Sequence, residues 1–170
     1  MRRMRLFSRL LILILLSVPL AASALDAQAQ YPSPTCQIVF YRLRSRLNAL
    51  AFRYDEAIAD MDAAIALDPD SPALFVERGQ RIILIYEWDR ALADYDRALE
   101  LAPNYADAYY YRGILYASVP EGIDARRAAL ADFQRSLDLA PAGQHAVDAA
   151  RYRVDIGAQL DSLATAQPGS

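Results

Sequence analysis

The sequence predicts an all-α fold, a stack of helical hairpins closed by one further helix. Three observations carry this. A set of aromatic, small and proline positions recurs at a constant step of about 34 residues, the mark of a chain built from repeated units. Alanine, leucine and arginine, all at home in helix interiors, fill the segments between the prolines. No alternating β-branched run is long enough to make a strand.

The elements follow in chain order. Arg2, Arg3, Arg5 and Arg9 make a positive end, Leu10 to Leu16 is wholly apolar, and Ala22-Ser23-Ala24 has the small-x-small form of a cleavage site. Residues 1–24 are expected to be an export signal, because the apolar stretch falls short of the roughly 20 residues a spanning helix needs. An uncleaved membrane anchor is the alternative. Residues 25–35, with two prolines among small polar side chains, read as a linker. The repeat domain is expected over 36–164, with units at 38–71, 72–105 and 106–143 and a capping helix at 144–163. Residues 165–170 read as a disordered tail.

The units align on their closing prolines. Pro69 and Pro103 are one step apart, and Pro141 falls four positions beyond the next step. Ala57, Ala91 and Ala129 keep that spacing, as do Met61, Tyr95 and Phe133, and Ala64, Ala98 and Ser136. Earlier in each unit stand Tyr41, Phe75 and Tyr109, each followed one helical turn on by Ser45, Gly79 or Gly113. A large ring fills the gap between paired helices, and the small residue after it admits the second helix. Proline closes each unit because it cannot continue a helix. Ser71-Pro72 reads as an N-cap followed by proline at the first helical position. The third unit's extra length lies between Gly113 and Ala129, expected as a surface loop at Val119 to Asp124.

This pattern resembles the tetratricopeptide repeat, over residues 38–143, and most closely at Phe75, Gly79, Trp88, Ala91, Tyr95, Ala98 and Pro103. The first unit departs from it at Asn48, and the third carries Arg126 where Tyr54 and Trp88 stand in the others. The resemblance implies a right-handed solenoid of three tetratricopeptide-type helix–turn–helix repeats plus a C-terminal capping helix. That helix would set Tyr152, Ile156, Leu160 and Leu163 on one stripe. The resemblance also implies a concave groove lined by the first helices.

Composition and counting exclude several kinds of chemistry. The chain contains no lysine, so all 18 basic residues are arginine, and there are 21 acidic residues. Removing residues 1–24, which hold four arginines and no acid, leaves 14 basic against 21 acidic groups, near −7. A nucleic-acid surface needs the opposite sign. One cysteine, Cys36, permits no intrachain disulfide, and one histidine, His145, permits no two-histidine metal site. Cys36 is expected semi-buried at the first helix start. It and His145 lie at opposite ends of the repeat array, which argues against a nucleophile–base pair. No phosphate loop, nucleophile elbow or zincin helix is present.

Arg44 with Asp60, Arg78 with Asp94, and Arg112 with Asp132 occupy equivalent places, the last pair farther apart only by the insertion. They could form a charged binding strip, but recurrence in every unit favours structural pairs, since framework positions repeat while binding positions vary. In Tyr109-Tyr110-Tyr111, successive residues point about 100° apart. Tyr109 is expected in the core, Tyr110 toward a partner, and Tyr111 partly exposed at the helix flank. The positions one and five places after each unit's aromatic are Arg42 and Arg46, Val76 and Gln80, Tyr110 and Ile114, with Ile83 extending the middle row. They are expected to line a peptide-binding groove, cationic at one end and apolar-aromatic at the other. The alternative is that Val76, Ile83 and Ile114 pack between helices.

The chain is therefore expected to be an exported, non-enzymatic module that scaffolds or recruits a protein or peptide with acidic and apolar residues. No metal, cofactor, nucleic acid or small-molecule substrate is expected, and the location is extracytoplasmic. The second reading is an envelope assembly or scaffold factor anchored by an uncleaved N-terminal helix.

Overall fold

A computed structural model describes residues 33–118 and 122–166, and these form seven α-helices and no strand. The expected export signal, residues 1–24, most of the expected linker, and the core of the expected insertion, residues 119–121, lie outside the described residues. The chain divides into two compact units after Leu67, close to the first repeat boundary expected from the prolines.

The first unit is one hairpin, α1 (Pro34–Leu50) and α2 (Tyr54–Leu67). Helix α1 begins inside the expected linker. Ser33 is the N-cap, its hydroxyl accepting from the Cys36 N–H at 3.2 Å, and Pro34 opens the helix. Proline disfavours a helix interior, yet at N1 it gives up only an N–H that has no helical partner. Cys36 is exposed on that first turn, not semi-buried. Gln37, Phe40, Tyr41, Ser45 and Asn48 form the buried stripe of α1, facing Ala57, Ile58, Asp60, Met61 and Ala64 on α2. The turn between them uses Phe52 in the left-handed region, φ 59°.

The second unit holds α3 (Pro72–Ile82), a 3-10 turn at Ile83–Ile85, α4 (Trp88–Leu101), α5 (Ala106–Ala117), α6 (Ile123–Leu139) and α7 (Ala146–Ala166). Ser71 stands at the N-cap of α3 as expected, but its side chain makes no capping bond, and Pro72 sets the start. Tyr86, one repeat step after Phe52, reverses the chain with φ 61°. Thus the turn between paired helices repeats as faithfully as the helices. Helix α6 begins at Ile123, so the connection before it is shorter than the expected Val119–Asp124. Helix α7 runs to Ala166, into the segment expected as a tail.

Small residues serve as their spacing implies. A Cβ built on Gly79 would lie 2.6 Å from Tyr95 Cε1, and one on Gly113 would lie 3.1 Å from Phe133 Cε1. Both rings are fully buried. Ser45 is tolerated in the first unit because its hydroxyl donates to the Ala57 carbonyl at 2.8 Å and Met61 replaces the ring. Helix α7 packs on α6, with Ala149 and Ile156 buried and Tyr152 and Leu160 against the same cluster. Leu163 is 39 % exposed, so it contributes little to the stripe expected of it.

Candidate functional site

The recurring arginine–aspartate pairs form inside each hairpin. In the first unit Arg44 Nε donates to Asp60 Oδ1 at 2.8 Å, and the Asn48 amide donates to Asp60 Oδ2 at 2.9 Å. Asn48, which departs from the usual bulky residue, thus serves as a second donor to a buried carboxylate. Its own carbonyl oxygen accepts from Arg53. Arg78 grips Asp94 with two bonds, 2.9 and 2.6 Å. Arg112 grips Asp132 with two bonds of 2.8 Å and also reaches Asp96 on α4 at 2.6 Å. The hydrogen bond to Asp132 is the main cause holding the Arg112 pKa above its ordinary value, against the opposing effect of burial. Each guanidinium also lies over the ring that begins its hairpin: Arg44 over Tyr41 at 5.3 Å, Arg78 over Phe75 at 5.6 Å, and Arg112 over Tyr109 at 5.5 Å. Two-pronged pairing, ring cover and burial give all three pairs a structural role.

The surface available to a partner is what this framework leaves over. In the first unit Arg42 and Arg46 stand one turn apart on α1, Arg42 half-buried with interactions of its own and Arg46 exposed. In the second unit Gln80 on α3 hydrogen-bonds to Tyr111 on α5, and Glu77, Arg81 and Asp107 lie near enough to act on that phenol. The Tyr111 ring stacks on Tyr95 at 6.4 Å and meets Tyr110 edge-on at 5.1 Å. His145, in the connection before α7, lies flat on Tyr110 at 4.1 Å and edge-on to Tyr111, with its Nε2 4.0 Å from Asp107 Oδ1. Burial first, then Asp148, pushes the Tyr110 pKa up to about 12. Burial first, then Asp107, also raises that of Tyr111. Both phenols are therefore neutral at neutral pH, and that of the half-buried Tyr111 can exchange hydrogen bonds with peptide groups and side-chain amides.

The structure treats the expected groove residues unequally. Gln80 is half-buried and joined to Tyr111. Ile114 packs against the core cluster that contains Tyr110, and Ile83 sits half-buried in the 3-10 turn. Val76 and Tyr110 need correction: they are 3 % and 6 % exposed and offer almost no surface. Tyr110 is covered because the chain after Pro141 lays His145 over its ring. Tyr109, expected in the core, is only half-buried, and its hydroxyl donates to the Pro103 carbonyl at 3.1 Å. Tyr111 and His145 are the site residues that the face argument missed. Helical spacing places Tyr111 on a flank, and nothing in the spacing shows where the residue before α7 falls. No group of three or more potential metal ligands occurs among the described residues. No described helix is long and apolar enough to cross a membrane.

Comparison with known proteins agrees with this architecture. Residues 87–119 match the family model for the TPR repeat. No curated protein matches the chain in sequence. Among solved structures, the Sgt2 TPR domain of Aspergillus fumigatus is similar with TM-score 0.67 and 15% identity, over 79% of this chain and 86% of that one. The first TPR of Spaghetti (RPAP3), bound to the HSP90 peptide SRMEEVD, is similar with TM-score 0.62 and 22% identity, over 74% and 94%. The TPR2B domain of yeast Sti1, in complex with an Hsp70 peptide, is similar with TM-score 0.63 and 17% identity, over 72% and 98%. Residues 87–119 thus carry a TPR repeat, and the fold is that of tetratricopeptide-repeat domains.

Proposed function

We propose that this chain is a non-enzymatic module that holds an extended segment of another protein, exported from the cytoplasm by residues 1–24. One observation carries the binding reading. The framework charges are consumed inside the hairpins, while α3 and α5 together present groups that do not repeat, the Gln80–Tyr111 pair and, beside it, the edge of His145. Similar domains in other proteins hold short peptides by this fold, among them SRMEEVD. The acidic end of that peptide suits this chain poorly in its second unit, where Glu77 and Asp107 repel carboxylates. A neutral or apolar segment suits that face; taken by itself, the exposed Arg46 on α1 of the first unit suits an acidic residue.

The test is fluorescence anisotropy of the chain lacking residues 1–24 against labelled peptides drawn from proteins of its own compartment. Arg46→Glu and Gln80→Ala should each weaken binding about tenfold or more while leaving the circular-dichroism melt unchanged. Normal binding by both variants, with loss on changing Arg97 of α4, would place the partner on the second helices and defeat the proposal. N-terminal sequencing of the product decides the rest: Leu25 at the terminus supports export with cleavage after Ala24, and an intact Met1 supports the anchored reading.

A further inference from the structure

Helix α7 covers α6, but its contacts are those of a repeat's first helix. Four core and link positions of α5, Ala108, Tyr111, Arg112 and Leu115, have counterparts on α7 in one constant register. Ala108 and Ala149 are both fully buried. Leu115 and Ile156 are 4 % and 5 % exposed. Tyr111 stacks on Tyr95 of the preceding helix, and Tyr152 stacks on Phe133 of its preceding helix at 5.1 Å and 9°. Arg112 donates to Asp96, and Arg153 donates at 2.9 Å to Gln134, which stands two places after Asp132 as Asp96 stands two after Asp94. Helix α7 therefore occupies the first-helix place of a fourth unit.

Among the described residues, the second-helix place of that unit is open. Val154 stands where Gly113 meets the Phe133 ring, yet it is 63 % exposed. A Cβ on Gly157 would meet nothing within 4 Å. Between α6 and α7 lies a cleft of about 690 Å³ bordered by Leu130, Ala131, Gln134, Arg153, Val154 and Gly157. The arginine shows what is missing. Arg112 has both the preceding hairpin's acceptor and the carboxylate of its own second helix, Asp132. Arg153 has the first, Gln134, and pairs with no carboxylate among the described residues.

We propose that this cleft is a docking site for a helix of a partner protein, one that carries a carboxylate for Arg153 and a short or flexible apolar residue over Val154. The chain itself specifies that chemistry three times. The buried stripes of α2, α4 and α6 share four positions, Ala57-Asp60-Met61-Ala64 (with Ile58 buried beside them), Ala91-Asp94-Tyr95-Ala98 and Ala129-Asp132-Phe133-Ser136. A tyrosine or phenylalanine requires glycine opposite, as Gly79 and Gly113 show, and Val154 would collide with such a ring. Methionine opposite a residue bearing a Cβ, as Met61 opposite Ser45, is the version that fits. This inference does not depend on the peptide-binding reading of α3 and α5.

The probe is a fluorescein-labelled, end-capped peptide with the sequence of residues 54–67, which carries the Ala57-Asp60-Met61-Ala64 stripe, titrated against the full chain. We expect binding with amide shift changes at Val154 and Gly157. We expect a loss of about tenfold or more when Asp60 of the peptide is changed to asparagine, or when Arg153 of the chain is changed to alanine, with no further loss when both are changed. Val154→Glu, on an exposed site that leaves folding unaffected, should abolish binding. Absence of binding, equal affinity for the aspartate and asparagine peptides, or indifference to both chain variants would overturn the proposal. A chain that sediments as a dimer, dissociated by Arg153→Glu, would also overturn it, since the occupant would then be a second copy.

Discussion

Removing Arg78 should cost a large share of this chain's stability. Asp94 is 4 % exposed and receives both of its strong bonds from that one guanidinium, at 2.9 and 2.6 Å. Arg78→Ala leaves a carboxylate in the interior without its counter-charge, and breaking a buried pair in this way costs about 3–5 kcal/mol. Roughly a quarter of the Arg78 side chain is exposed, so water can reach the gap and the lower end, about 3 kcal/mol, is expected. Against a total stability of about 5–15 kcal/mol this is a large fraction. With a urea slope of about 1–3 kcal/mol per molar, the unfolding midpoint should fall by about 1–3 M. The same change at Arg44 should cost less, because Asn48 still donates to Asp60 at 2.9 Å. Replacing both partners, Arg78→Met with Asp94→Leu, should recover much of the loss. A cost below about 1 kcal/mol for Arg78→Ala would refute the reasoning, since that is the range of an exposed pair.

Two further outcomes follow from packing and titration. Gly79→Ala places a Cβ 2.6 Å from Tyr95 Cε1 and should destabilise by about 1–3 kcal/mol, while Gly113→Ala, at 3.1 Å from Phe133, should cost less; equal urea midpoints for the two would count against the close approach. Tyr110, its pKa raised to about 12 in the folded state from an ordinary 10, contributes stability that is complete below pH 10 and is lost as pH rises through 12, because the unfolded chain gives up the proton first. Urea midpoints measured from pH 9 to 12 should fall less steeply in Tyr110→Phe than in the natural chain, and parallel curves would show that this phenol is not held in the core.

What is legible in the sequence is what repeats. Gly79, Gly113, the alanines at 57, 91 and 129, and the three arginine–aspartate pairs each answer a demand that every hairpin makes, so a constant step exposes them. The turn residues Phe52 and Tyr86 share the same step, but neither residue type advertises a positive φ. The errors fall where the period breaks. A rotation of about 100° per residue assigns Tyr110 to the surface, which is correct for an isolated helix and blind to a histidine arriving from outside it. The register of α7 is hidden because its equivalence to α5 runs at a longer step than the repeat, and only side-chain contacts such as Tyr152 on Phe133 reveal it.

The same division bears on where function can reside. A residue that every hairpin needs has no latitude to recognise one partner, and the arginines at 44, 78 and 112 are each held by an aspartate and a ring. Arg153 is the informative exception. It keeps the framework position and the link to the preceding hairpin, yet the second helix that would claim its charge is not among the described residues. A framework arginine without its aspartate is a specificity element by default, because the residue that completes it must come from the helix that docks. Arg46, exposed on α1, carries charge for a different reason: it lies one step beyond Ser45, off the buried stripe, where the repeat sets no requirement. The two arginines therefore make separable predictions. Changing Arg46 should alter peptide capture alone, and changing Arg153 should alter helix docking alone. Loss of both activities from either change would mean that the two surfaces serve one partner.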